Sequence, residues 1–521
     1  MSLEIKKILV FTKKNIGLTV FTFVLTFGVY GIKIVNHAFG MDTNIYISNY
    51  PRYLIHWISI GRFGEVFLKK SLWGAYTNIY LINFLCFLLF ALSSFLLCYL
   101  FSKTITSKEV KYHLYIIPSL FLTSQIFVYQ FYFVLQNFEF ALGMFLVVSA
   151  VILLTIETEI RWQKIIYWIL SVLMAGLAIS VYQSFVLFFA AITAAVLLLE
   201  IYNSFTENTE YRFTTLFKRS LPYIIVLAVS TILYFVADKI VGTILEIPRR
   251  GRALGMIVWD DLSIKEGVIS LLKAMRNIVF LTSDIHSKPT YSYSILIAVI
   301  LLLPIAVLFL KKRDKNRLTA FICMTTILVS GFGVVIAMGT NPLPRSMVPQ
   351  YPFVAAFLLF YASLFYQRKV LKRIVLVIVL LLTFSQIKTT SNLLFSEQMT
   401  FEEDQRKMIQ IDQVIKNLEL ENASSYKLVI IGTSPSENMF NIQGNNELVG
   451  VSMFQFGASP NLGSYDVNAN VMEIMKIMGM TYQSPSREEY LDYWQNKSTL
   501  KDSPVEFGVE VIDNFIIVKV S

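Results

Sequence analysis

The sequence predicts an all-α polytopic membrane protein of about eleven spanning helices, followed by a small α/β domain at its C-terminus. Three observations carry this expectation. Of 521 residues, 55% are hydrophobic and only 15% charged, whereas soluble domains carry roughly 25% charged residues. Apolar runs of about 20 residues, the length that crosses a bilayer as a helix, recur as far as residue 390 with short basic loops between them. Beyond Ser391 charges return and strand-like segments begin.

The apolar runs lie at 15–36, 77–101, 112–133, 139–156, 165–182, 184–201, 220–240, 291–310, 318–338, 350–366 and 373–390. The fifth and sixth form one stretch, divided at Tyr182-Gln183-Ser184 because an undivided run would be nearly twice a normal span. The first run follows Lys13-Lys14. It is too long for a cleaved signal core and is expected to stay as an anchor. Basic residues cluster in alternate loops: Lys6 to Lys14, Lys103 to Lys111, Arg161 and Lys164, Arg212 to Arg219, Lys311 to Arg317, and Arg368 to Arg373. All fall on one face, which the positive-inside rule makes cytoplasmic. The N-terminus is then cytoplasmic and the C-terminal domain extracytoplasmic. The net charge of +10 is thus a matter of topology, and nucleic acid is not an expected partner. Cys86, Cys98 and Cys323 sit inside apolar runs and read as core residues. Four scattered histidines cannot build a zinc site alone.

Three outer segments are long enough to be functional: about 37–76, 245–290 and 391–521. The middle one holds apolar residues at helical spacing from Ile264 to Leu281, with Lys265, Lys273 and Arg276 among them, the pattern of an interfacial helix. A similar element spans Tyr53 to Leu68. In the tail a helix is expected near Phe401 to Leu418, with strands at Lys427–Gly432 and Asn514–Val520. The chain therefore divides into a membrane domain, 1–390, and a tail domain, 391–521.

No phosphate loop, metal motif or nucleophile elbow is present in the sequence. Candidate chemistry lies instead in polar residues at the outer ends of the spans, where burial needs a reason. Asp42, just past the first span, reads as a turn residue or as a general base. Arg62 stands between Gly61 and Gly64, with Trp57 before it. The glycines suggest a sharp turn or a close approach, and an arginine there can grip phosphate bidentately. Arg249, Arg250 and Arg252 run against the positive-inside trend and suit anionic headgroups or a lipid-linked phosphate. Pro344 holds Arg345 in a short outer loop. Tyr182 and Gln183 stand at the tip between the fifth and sixth runs. Gln136, Asn137 and Glu139 form a further polar group. Asp238, Asp260 and Asp261 are acidic alternatives to Asp42.

In their order and placement, Asp42, Trp57 with Gly61-Arg62, Tyr182-Gln183, and Pro344-Arg345-Ser346 resemble the GtrII-like glucosyltransferases of the GT-C superfamily, over residues 15–390. The resemblance implies a bacterial enzyme in the cytoplasmic membrane. It implies transfer of a sugar from a polyprenyl-phosphate donor to a cell-surface polysaccharide, with inversion. Asp42 would be the base, and Arg62, Arg345 and the 249–252 arginines would bind the donor phosphate. Trp57, Glu139, Tyr182 and Gln183 would line the substrate site. Many such enzymes carry two acidic residues in the first loop. Here Thr43 follows Asp42, which argues against a divalent metal held by two carboxylates, and no cofactor is expected. Polymerization of lipid-linked repeat units is the nearest alternative, since it too would use outer arginines. A flippase or transporter would place charges near the midplane and show repeats. A structural scaffold would leave Asp42 and Arg62 replaceable.

Overall fold

The computed structural model describes residues 2–40, 42–74, 78–106, 108–248, 257–281, 290–311, 316–366, 368–442, 448–458, 463–495 and 508–520. Arg249, Arg250 and Arg252 lie outside them.

A basic-ended helix α1 (Ser2–Lys14) leads into α2 (Ile16–Val35). The first long loop then folds into three short helices, α3 (Thr43–Ser48), α4 (Tyr50–Ser59) and α5 (Phe63–Leu72), before α6 (Ile79–Thr104). The single element expected near 53–68 is thus two helices. They part at Gly61, whose φ of +84° is open to glycine at little cost.

The run at 112–133 is not the continuous helix the sequence suggested. A 3₁₀ segment (Lys108–Tyr115) leads into α7 (Ile116–Phe121), and the chain breaks before α8 (Phe127–Phe131). Tertiary partners capture the polar groups at the break. The Leu122 carbonyl accepts from Tyr30 Oη at 2.9 Å, and the Thr123 carbonyl accepts from Thr390 Oγ1 at 3.0 Å. Thr123 Oγ1 donates to Gln386, and Gln125 Nε2 donates to the Tyr291 carbonyl. Non-helical backbone at membrane depth is tolerated where protein surrounds it, and Leu122, Thr123 and Gln125 are all buried.

The chain continues through α9 (Val134–Leu154), α10 (Arg161–Val181), α11 (Phe185–Thr206) and α12 (Phe213–Ile244). The division expected at 182–184 is the one found. A capping box between Ser263 and Glu266 starts the amphipathic α13 (Ile264–Phe280), worth about 1 kcal/mol at such an end. Then come α14 (Ser294–Lys311), α15 (Arg317–Met338), α16 (Gln350–Phe365) and α17 (Lys369–Lys416). Among the described residues, eight helices are long and apolar enough to cross a membrane: α2, α6, α9, α10, α11, α12, α15 and α17. Two shorter apolar helices, Ser294–Val307 within α14 and Gln350–Phe365, accompany them.

Within the bundle α11 is the most enclosed, 78% of its apolar window being buried, and α12 the least, at 17%. Aromatic rings fill the interior. Tyr30 stacks on Phe87 at 4.9 Å, and Phe90 meets Phe127 edge-on at 4.7 Å. Such pairs contribute about 0.5–1.5 kcal/mol each beyond the area they bury.

α17 runs 48 residues, about 72 Å at 1.5 Å per residue, and passes through position 391 without interruption. Its far half carries the tail. There β1 (Lys427–Gly432), α18 (Tyr465–Ile477), α19 (Arg487–Gln495), β2 (Gly508–Ile512) and β3 (Phe515–Val520) follow in order. β3 is central in the sheet, parallel to β1 and antiparallel to β2. Asp404 of α17 accepts from Ser452 Oγ and the Met453 N–H. Phe401 meets Phe39 at 4.9 Å, and Asn44 Nδ2 approaches the Asn470 carbonyl at 3.5 Å. The tail therefore rests on the first loop, at the end of the bundle where α2 finishes.

Candidate functional site

Four of the sequence-chosen residues meet at the end of the bundle where α9 and α11 begin. Arg62 caps α5 in the turn after Gly61. Its Nη1 donates to Gln136 Oε1 at 2.9 Å, and its guanidinium lies 4.5 Å from the centre of the Tyr182 ring. The Tyr182 hydroxyl donates to the Arg345 carbonyl at 3.1 Å. The Arg345 guanidinium in turn lies 4.5 Å from the Phe133 ring. Each cation thus rests on an aromatic face, an arrangement worth about 0.5–2 kcal/mol. Tyr182 holds the two arginine-bearing turns to one another.

The loops are built to keep this geometry. Gln183 Nε2 donates to the carbonyls of Ile60 and Gly61, both at 3.2 Å, and Tyr234 Oη donates to the Gly61 carbonyl at 3.1 Å. Two side chains therefore fix the turn that carries Arg62. A Cβ on Gly64 would stand 2.0 Å from Ser180 Oγ, so α5 meets α10 at a distance only glycine permits. On the other side Pro344–Met347 forms a 3₁₀ turn, and Ser184 Oγ donates to the Val348 carbonyl at 2.7 Å.

Glu139 lies one turn beyond Gln136 on α9, without exposed surface. It accepts from Trp73 Nε1 at 3.0 Å and pairs with Lys69 Nζ at 3.0 Å. Glu65 is buried in the same place. Burial, reinforced by the Glu139 charge, pushes its carboxyl well above the usual carboxylate range. With Glu65 held toward its neutral form, Lys69 and Glu139 balance one another, as a buried cation requires. Sequence reasoning missed Glu65, Lys69 and Trp73. Their signal was the spacing 62, 65, 69, 73, which puts them with Arg62 on one helical face.

Trp57 is buried rather than open. Its ring lies 5.6 Å from Tyr46 of α3, and its carbonyl accepts from the Arg62 N–H at 2.9 Å. Trp57 therefore links α3 to the Arg62 turn. Asp42 caps α3 with φ +69° and no side-chain capping bond. That conformation is uncommon outside glycine and is best tolerated by Asp and Asn. The residue is half-buried, and its carboxylate is not used to hold the helix end. Of the acidic alternatives, Asp238 is buried, and Asp260 and Asp261 are exposed.

As a chemical object the cluster offers two guanidinium groups on turns that Tyr182 joins, while Asp42 stands at the start of α3, tied to the Arg62 turn through Tyr46 and Trp57. Guanidinium groups so placed can pair with a charged oxyanion. The family model described as Glucosyl transferase GtrII matches residues 31–364, a stretch containing all of these side chains. Comparison with curated proteins gave no match, and neither did comparison with solved structures.

Proposed function

Since the chain belongs to the glucosyl transferase GtrII family and is a multi-pass membrane glycosyltransferase, we propose that it moves a sugar from a polyprenyl-phosphate donor to a cell-surface polysaccharide. The reaction takes place at the outer face of a bacterial cytoplasmic membrane. The observation that supports this reading is the bridging of Arg62 and Arg345 by Tyr182. In the proposed step Asp42 removes the proton of the acceptor hydroxyl, whose oxygen attacks the anomeric carbon from the face opposite the phosphate. The bond from that carbon to the phosphate oxygen breaks, and its electron pair leaves with the polyprenyl phosphate. The anomeric centre inverts. Arg62 and Arg345 stabilise the charge that develops on the phosphate, preorganised electrostatics of the kind that dominates transfer chemistry. Arg249, Arg250 and Arg252, outside the described residues, are assigned to the same phosphate by the family resemblance alone.

Tyr182 and Gln183 act by fixing the two arginine turns. Glu139, through Lys69 and Trp73, holds α5 and with it Arg62, while Trp57 ties α3 to the same turn. The step needs no metal or cofactor, because the guanidinium pair supplies the charge that a cation would bring. In this topology α14, α16 and the broken α7–α8 segment also cross, giving eleven passages with the N-terminus cytoplasmic. Residues 391–521 form the extracytoplasmic domain that borders the site and meets the acceptor.

The reading is tested with purified enzyme, a polyprenyl-phosphate sugar and an acceptor oligosaccharide, following donor binding and turnover separately. Arg62→Lys is expected to lower both by roughly 10–100-fold, the worth of a lost charge-assisted hydrogen bond, and Arg345→Ala should behave alike. Unchanged donor affinity in both variants would remove the phosphate from these arginines. Topology has its own check. Glu488 on α19 is exposed, and the three native cysteines are buried. Glu488→Cys should react with an impermeant maleimide in intact cells; labelling only after permeabilisation would put the tail on the cytoplasmic side.

A further inference from the structure

At the opposite end of the bundle, where α9 and α11 finish and α10 and α12 begin, lies a polar cavity of about 770 Å³. Five cations line it: Lys7, Lys103, Lys164, Lys218 and Arg219. Some are already committed. Lys103 and Lys7 pair with Glu4, and Arg219 reaches Glu157 at 3.7 Å and Glu200 at 4.0 Å. Lys164 and Lys218 are exposed and have no carboxylate partner among the described residues. They stand on different helices, α10 and α12, so the two uncommitted charges face the cavity from separate walls. The cavity is large enough for a small-molecule ligand.

Its borders say where such a ligand would come from. On α10 the residues beside Lys164 are Ile165, Ile166 and Ile169, each more than 40% exposed. On α12 Phe217, Leu221 and Ile224 are exposed to a similar degree. Among the lining residues, Trp168 sits under the Lys164 ammonium at 5.9 Å, and indole rings favour the headgroup level. A free anion would gain nothing from these apolar margins, whereas acyl chains would lie along them.

We propose that this cavity binds the phosphate headgroup of an anionic phospholipid, with Lys164 and Lys218 as its principal contacts and the acyl chains lying against α10 and α12. A phosphodiester carries the single negative charge that two uncommitted ammonium groups would hold, and basic pockets between spans suit such headgroups. The site is separate from the Arg62–Arg345 cluster and does not depend on the transferase reading.

The experiment is native mass spectrometry and thermal unfolding of the full chain in detergent with added lipid. Phosphatidylglycerol should remain bound and raise the melting temperature, while phosphatidylcholine should do neither. In Lys164→Gln/Lys218→Gln, phosphatidylglycerol binding should weaken by roughly 30-fold, each lysine near an anionic lipid surface contributing comparably. Lys164→Arg/Lys218→Arg should keep it, which separates charge from misfolding. Equal retention of phosphatidylglycerol by the Gln variant, or equal binding of phosphatidylcholine by the native chain, would overturn the proposal. So would displacement of the lipid by millimolar inorganic phosphate, or tighter binding of polyprenyl phosphate at the same lysines. Either result would assign the cavity to another phosphate source.

Discussion

Asp42→Asn should lower turnover by about 10²–10⁴-fold, the usual worth of a positioned general base, while leaving donor binding close to native. The amide keeps the shape and the tolerance for positive φ found at this position, so the start of α3 should survive the exchange. What it loses is the ability to accept a proton from the acceptor hydroxyl. The two arginines are untouched, and donor affinity should not follow turnover down. Single-turnover rates with saturating donor, set beside equilibrium donor binding, read the two effects separately. Near-native turnover in Asp42→Asn would deny Asp42 the role of base and move the search to Asp238, Asp260 and Asp261. Glu139 is a weaker substitute, since Lys69 and Trp73 already occupy its carboxylate.

A comparably large effect, on stability rather than rate, is expected at Lys33 and Glu397. Their charged ends lie 2.6 Å apart, and both side chains are 4% exposed. The pair joins the end of α2 to α17. Removing one partner leaves a buried charge uncompensated, which costs about 3–5 kcal/mol, whereas replacing both with apolar residues of similar volume is often neutral or better. Lys33→Met and Glu397→Leu should each lower the thermal midpoint in detergent markedly. The double variant should regain most of the loss. A double variant as unstable as the sum of the singles would mean that the two charges do not stabilise one another.

The sequence was most legible where one kind of signal acted alone. The length and apolarity of the runs give the positions of the eight helices long enough to span, and the polar tip at Tyr182-Gln183-Ser184 divides α10 from α11. Gly61 and Gly64 announced a turn and a close approach, and both are present, at φ +84° and against Ser180. Reading failed where tertiary partners overrode a local pattern. The run 112–133 is apolar enough for a helix, yet Tyr30, Thr390, Gln386 and Tyr291 capture its polar groups and the helix breaks. Thr123-Ser124-Gln125 was the visible warning. In the site, the meeting of Arg62, Tyr182 and Arg345 could be expected from their shared face. That Tyr182 would be the bridge, and that Glu65 and Lys69 would be buried beneath, depended on helix packing that one-dimensional spacing does not encode.

The Lys33–Glu397 pair also has a consequence for biosynthesis. The partners are separated by 364 residues. At about 5–20 residues per second, Lys33 is made on the order of 20–70 s before the carboxylate that neutralises it. The break after α7 waits about three-quarters as long, since Gln386 and Thr390 come from the same helix, α17. Until α17 leaves the ribosome, the nascent protein carries an unmatched cation and an open polar seam. Lys33 stands close to the end of its helix, near enough for its ammonium to reach the headgroups in the interval. Insertion of α17 then closes both defects at once. A chain stalled before residue 386 would keep the cation at the headgroups and the polar seam open within the bilayer, a mark by which membrane quality control could distinguish it from the finished protein.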